Sequence, residues 1–247
     1  MDIFEHTQVA IPSDGVFKIS PSKVANFFDY PPVWYKEQVL GEKTFEGNTA
    51  TVLGTVCHYI FEKVSKGEDI CRDVIDAMID RAVFPDDVDK EAVKASYPEI
   101  ATAVVNEYLL DNIPSHTEKA VSAHVKNGVY VAGTQDAVDM QRRVIVDYKI
   151  VGSKPNTDSI PFKYKIQLLC YVYANYVNNV HIDRIRIVYG VKPTKTLPAR
   201  VFVVTEQVSQ DDIKLISDTL QLIADTVIKA KEQPELIYLL FKSMSLK

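Results

Sequence analysis

Cysteine is scarce in this chain. The 247 residues hold three, Cys57, Cys71 and Cys170, odd in number, far apart and without a CxxC pair. That excludes a disulfide scaffold and a zinc ribbon, and it fits reduced thiols in a cytoplasmic protein. Long apolar runs are also missing, so no segment has the length of a membrane span. The opening MDIFEH has neither the basic stretch nor the apolar core of a secretory leader, which adds to the expectation of a cytoplasmic protein without membrane association. No internal repeat, low-complexity tract or Pro/Gly/Ser linker divides the sequence, and a single domain over 1–247 is expected.

The content that remains is ordinary for a folded protein, 47% hydrophobic and 25% charged, with a formal charge of −5. The charge is unevenly placed. From Arg142 to Arg200 there are eleven Lys or Arg (142, 143, 149, 154, 163, 165, 184, 186, 192, 195 and 200) against Asp147, Asp158 and Asp183. Eleven cations less three carboxylates leave +8, so the rest of the chain carries −13. A basic block in an acidic chain is an electrostatic footprint for a polyanion. The region around residues 68–91 is acidic and would repel such a partner or meet a basic one.

Periodicity supplies the elements. Ser20 and Pro21 suit an N-cap and first helical position, with a helix to about Phe28. Leu53, Val56, Cys57, Ile60 and Val64 recur at helical spacing, with Gly67 as a stop. Helices are also expected over 71–82 and 88–112, the second bent or divided at Pro98. The texture then turns β-branched and alternating over 117–126, 129–139 and 143–151, joined at Asn127-Gly128 and at residues 140–143, as in a three-stranded antiparallel meander. A helix over 162–178, strands near 183–190 and 200–205, and an amphipathic helix from about 208 complete the order. It describes an α/β fold with a mixed central β-sheet flanked by helices, a helical part at 19–112 and a sheet core at 117–205.

One strand carries unexpected residues. VIVDYKI interrupts an apolar run with Asp147 and Lys149, which alternation places on one face, with Tyr148 on the other. Asp136, three residues after Gly133, lies one hairpin away, and pairing can bring the two carboxylates together at one sheet edge. Two carboxylates about 4 Å apart repel by roughly 4 kcal/mol at an effective dielectric of 20. Lys149 offsets part of this, and a divalent cation offsets more. Oxygen ligands without thiolates or a His pair suit Mg²⁺ or Mn²⁺. A DxK triplet alone is short and common, and by itself it reads as a surface hairpin with a salt bridge. Further along, His58 lies off the apolar stripe of its helix, Glu118 begins the meander, and Gln167 and Tyr171 share a helix face at a spacing of four.

In order along the chain these pieces read Ser20-Pro-Ser22, Gly54-TVC-His58, Gly133-TQ-Asp136, Asp147-Tyr-Lys149 and Gln167-LLC-Tyr171. The series resembles the RecB-like branch of the PD-(D/E)xK nuclease superfamily over about residues 19–176. Phage recombination exonucleases and CRISPR adaptation nucleases belong to that branch. The resemblance implies a restriction-endonuclease-like fold and a metal-dependent DNA nuclease, foremost an exonuclease resecting DNA ends in recombination, repair or phage replication. It also leaves room for a structure-specific endonuclease, or for a non-catalytic DNA-binding or partner-binding module. By the same resemblance, Asp136 and Asp147 would bind Mg²⁺ or Mn²⁺ in a two-metal site, with His58 and the Tyr148 carbonyl as further ligands and Glu118 beside or behind them. Lys149 would orient or help deprotonate the attacking water, and Gln167 and Tyr171 would guide DNA or hold Lys149.

Two family features are missing. Asp29 and Tyr30 stand where many relatives have a Cys-Pro, and no cysteine follows Cys170, so no iron–sulfur cluster is expected. No GxxxxGK[ST] occurs, so a helicase, or an annealing protein, would come as a partner. Oligomer formation stays open.

Overall fold

The computed structural model describes residues 16–42, 47–82, 88–233, 235, 237 and 239; the opening MDIFEH lies outside them. The chain begins with a short strand, β1 (Phe17–Ile19), and a 3₁₀ turn (Pro21–Lys23). Five helices follow: α1 (Val24–Asp29), α2 (Pro31–Gln38), α3 (Thr49–Ser65), α4 (Arg72–Arg81) and α5 (Lys90–Val104). The meander is β2 (His116–Lys126), β3 (Val129–Asp139) and β4 (Val144–Val151). Helix α6 (Phe162–Val177), strands β5 (Arg184–Val191) and β6 (Arg200–Gln207), and helix α7 (Gln210–Glu232) complete the order. Among the described residues no helix is long and apolar enough to cross a membrane.

The sheet runs β1-β3-β4-β5-β6, with β2 also paired to β3. The β2–β3 hairpin turns at Asn127 and Gly128, both at positive φ, as a two-residue hairpin turn requires. Strands β4 and β5 are parallel across all eight residues, with α6 as the crossover, and β6 returns antiparallel on β5. Side chains alternate between two cores. Ile145, Ile185, Ile187 and Tyr189 pack with α1, α2, α6 and α7 on one face. Val144, Val146, Tyr148 and Val188 pack with α3, α4 and α5 on the other. Each fully buried aliphatic or aromatic side chain contributes about 1.5–3 kcal/mol.

Strand β3 has an unusual set of neighbours. β2 follows it along nearly its whole length, from Val129 to Val138. Its other side is shared between β1, parallel at Val129–Val131, and β4, antiparallel at Ala137–Asp139. Residues 132–136 therefore have no strand on that side, and β3 and β4 part in a fork directly after Ala137↔Val146.

Three details differ from the sequence expectations. Pro98 does not divide α5, which continues through it to a π turn at Val105–Leu109. The proline faces solvent, while Val93, Tyr97, Ile100, Ala101 and Val104 keep the buried stripe intact, so packing offsets the missing backbone donor. Helix α2 and strand β1 had no counterpart in the sequence analysis. Pro31 and Pro32 open α2, where proline's fixed φ is suited and its absent N–H costs nothing, and Trp34 and Tyr35 anchor the helix in the core.

Candidate metal centre

The fork in the sheet positions the site. Beyond the last β3–β4 pair, the backbone N–H of Tyr148 has lost its strand partner, and Asp136 Oδ2 accepts from it at 2.9 Å. The carboxylate thus replaces a ladder carbonyl. Across the hairpin, Glu118 lies opposite Asp136, between the pairs Thr117↔Ala137 and Lys119↔Gln135. Its φ is +48°, in the left-handed region that a residue with a Cβ enters at a cost. The kink breaks its own pairing and brings its carboxylate to the same place as Asp136.

Helix α3 supplies the third group. Asn48 caps it through a reciprocal pair of hydrogen bonds with Thr51, and its apolar stripe seats it against the sheet. His58, on the flank of that stripe, lies with Nε2 2.9 Å from the Tyr148 carbonyl and Nδ1 3.5 Å from Asp136 Oδ2. In the neutral ring Nε2–H donates to the carbonyl, which leaves the Nδ1 lone pair facing the carboxylate. Ligand atoms of His58, Glu118 and Asp136 all lie within 4.8 Å of one another. A lone pair and two carboxylates converging in this way fit a hard divalent cation. Burial first, then Asp136, raises the Glu118 carboxyl above its ordinary value.

Asp147 is close to this cluster but differently held. It is 3% exposed; its Oδ1 accepts from Lys149 Nζ at 2.9 Å and from Gln167 Nε2 at 3.1 Å. Its Oδ2 lies 2.8 Å from the same ammonium, outside hydrogen-bond geometry, and accepts no hydrogen bond. A buried carboxylate so close to the Asp136 charge is a second feature that fits a cation. Burial, then the charge of Asp136, pushes the Asp147 carboxyl up to about 6. For Lys149 burial opposes the charge, but Asp147 and Asp136 outweigh it and hold the ammonium above the ordinary lysine range.

Three of the sequence motifs meet around one glycine. A Cβ on Gly133 would lie 3.0 Å from Pro21 Cδ and 3.1 Å from Tyr171 Cε1, so only glycine lets the first turn and α6 approach β3 this closely. Tyr171 Oη donates to the Thr134 carbonyl at 2.7 Å, and so holds the strand that carries Asp136. Gly54 is different: a Cβ there would meet nothing within 4 Å. It faces a cleft of about 720 Å³ between α3 (Gly54, His58, Glu62), α4 (Met78) and the strands (Glu118, Asp136). Glu62 is a cleft residue the sequence analysis passed over. Its spacing of four from His58 on one helix was the available signal.

No protein-family model matches the sequence, and no curated protein is significantly similar to it. Among solved structures the chain is similar to a candidate exonuclease from Eubacterium rectale, with a TM-score of 0.61 at 15% identity, covering 87% of this chain and 81% of that one. The two chains share a fold. The chain also aligns with a phage-related exonuclease from Haemophilus somnus (TM-score 0.47, 15% identity, 87% of this chain and 97% of that one). A further match is an alkaline exonuclease from Laribacter hongkongensis (TM-score 0.43, 12% identity, 93% and 95%). The restriction-endonuclease-like sheet expected from the ordered motifs is the one observed.

Proposed function

We propose that the chain is a divalent-metal-dependent deoxyribonuclease acting from DNA ends. The observation that carries this reading is the convergence of His58, Glu118 and Asp136 at the fork of a nuclease-fold sheet, with the buried Asp147–Lys149 pair beside them. His58, Glu118, Asp136 and Asp147 would hold Mg²⁺ or Mn²⁺, as one ion or two. When bound, such an ion lowers the pKa of a coordinated water and offsets charge gathering on the phosphate.

The chain's own residues supply the rest. Lys149, kept protonated by Asp147 and Asp136, is an ammonium in this arrangement and not a base; it donates hydrogen bonds and lends positive charge to a phosphate oxygen. Gln167 fixes the orientation of the Asp147 carboxylate. Tyr171 fixes the backbone two residues before Asp136. The Eubacterium rectale neighbour, described as an exonuclease, supports the choice of an end-directed enzyme.

The test is digestion of end-labelled linear and closed circular DNA with and without Mn²⁺, with Asp147→Asn as the control. Release of label from linear DNA only, dependent on Mn²⁺ and absent in the variant, is expected. Cleavage of closed circles would replace the exonuclease reading with an endonuclease, and intact DNA under every condition would end the enzymatic reading.

A further inference from the structure

Four cations of the basic block, in the loop before α6 and at the starts of α6 and β6, are held in two ways. Lys165 is held by carboxylates, at 2.9 Å from Glu206 and 3.4 Å from Asp212. Lys154, Lys163 and Arg200 make no ion pair among the described residues and rest on aromatic rings instead. Lys154 Nζ is 5.5 Å and the Arg200 guanidinium 5.8 Å from the centre of the Phe202 ring. Lys163 Nζ is 4.7 Å and Lys149 Nζ 5.2 Å from the centre of the Tyr164 ring. Arg200 Nε is in addition buried without a hydrogen-bond partner.

Sheet register connects these groups to the site. Lys149 pairs with Tyr189, and Tyr189 with Phe202, so the site lysine, a buried tyrosine and an edge-strand phenylalanine form one row on one face. Arg200 precedes Phe202 by two residues, on the same face. With strands about 4.8 Å apart, the row reaches roughly 10 Å from Lys149 to the sheet edge. At the start of α6, just past the loop that leaves β4, Phe162 is 55% exposed.

We propose that Lys154, Phe162, Lys163, Tyr164, Arg200 and Phe202 form a track for a single DNA strand leading to or from the metal centre. The polymer's identity as DNA rests on the nuclease reading above; the track itself rests on the side chains. Single-stranded nucleic acid is bound by a basic groove interleaved with aromatic rings, because phosphates take the cations and unpaired bases have faces free to stack. A duplex offers phosphates but no free base faces, so the rings would have no role with it. A cation parked on a ring is weakly held and passes readily to a phosphate, whereas one closed between two carboxylates, as Lys165 is between Glu206 and Asp212, does not.

Binding of a fluorescein-labelled oligothymidylate of fifteen nucleotides, followed by anisotropy in EDTA, tests the track without any cleavage. Phe162→Ala removes an exposed ring and leaves the core intact; affinity should fall roughly tenfold. Lys154→Ala/Lys163→Ala/Arg200→Ala should flatten the dependence of log K on log salt by about 2, at ~0.7 for each phosphate no longer neutralised. Wild-type affinity and slope in both variants would overturn the proposal. So would a blunt duplex of equal length that binds as tightly and is weakened as much by Phe162→Ala. The nuclease reading fails separately: a protein that binds the oligomer through these residues but cleaves no DNA with Mn²⁺ loses its assignment as a nuclease and keeps the track. One that cleaves DNA while both variants bind normally does the reverse.

Discussion

Glu118 shows how a site can cost the fold something. Its left-handed φ of +48° would suit glycine, yet the residue there is a glutamate whose carboxylate joins Asp136 and His58. Glu118→Gly and Glu118→Ala both remove the carboxylate, but only glycine relieves the backbone. Chemical denaturation should find the glycine variant more stable than the alanine variant by about 1 kcal/mol, with both losing cation binding. Equal stability would mean that no strain is stored there. Asp147 has a different cost. Its carboxyl, raised from 3.8 to about 6 by burial and by Asp136, favours the neutral form in the folded protein. In metal-free protein that contribution is complete below the ordinary carboxylate value and is lost as pH rises through about 6, a difference of about 3 kcal/mol. A bound cation reverses the preference, since it needs the ionised form. Mn²⁺ should therefore raise the melting temperature clearly at pH 7.5 and little at pH 5; equal shifts at both would remove Asp147 from the cation's surroundings.

At the scale of elements, the fork between β3 and β4 explains why the motifs occur together. Once the ladder ends at Ala137↔Val146, groups outside the ladder reach the freed backbone region: Asp136 takes the Tyr148 N–H, and Tyr171 donates to the Thr134 carbonyl. Gly133 lets Pro21 and Tyr171 close in from two different elements. Gly133→Ala should cost roughly 1–3 kcal/mol by overpacking, read by urea denaturation, and should lower cleavage by displacing Asp136. A stable, fully active variant would show that the first turn and α6 can shift freely. Here the sequence was partly legible. The GxxD and QxxxY spacings marked the positions, and the hairpin turn at Asn127-Gly128 marked the register. The contact among Pro21, Gly133 and Tyr171 could not be read, because Pro21 stands more than a hundred positions before the other two. The short α2 was hidden for another reason: two prolines read as a break when only local pattern is available, and the burial of Trp34 is what makes them a start.

At the scale of the molecule, the basic block between Arg142 and Arg200 is not one surface. Arg142 and Arg143 sit at the opposite end of the strands from Lys154 and Lys163, and they face Asp139 and Asp183. Arg184 bonds the Arg142 carbonyl, and Arg186 bonds Thr205 and Tyr108. Lys163, by contrast, shares the Tyr164 ring with Lys149, on the side where open α/β sheets tend to bind ligands, the carboxyl ends of their strands. Arg142→Ser/Arg143→Ser should leave the salt dependence of duplex DNA binding unchanged. A slope reduced by nearly 2 would put both arginines on the phosphates, at ~0.9 for each phosphate neutralised.

The sequence by itself determined the kinds of element, their order and the chemistry available, because helix and strand periods, turn residues and the ordered Gly, His, Asp, Lys and Gln positions are local properties of the chain. The tertiary structure alone decided where the sheet forks, which acids share a cation's reach and which lysines remain without a carboxylate. Those outcomes depend on strands and helices far apart in the chain packing against one another, and no local pattern encodes the distances between them.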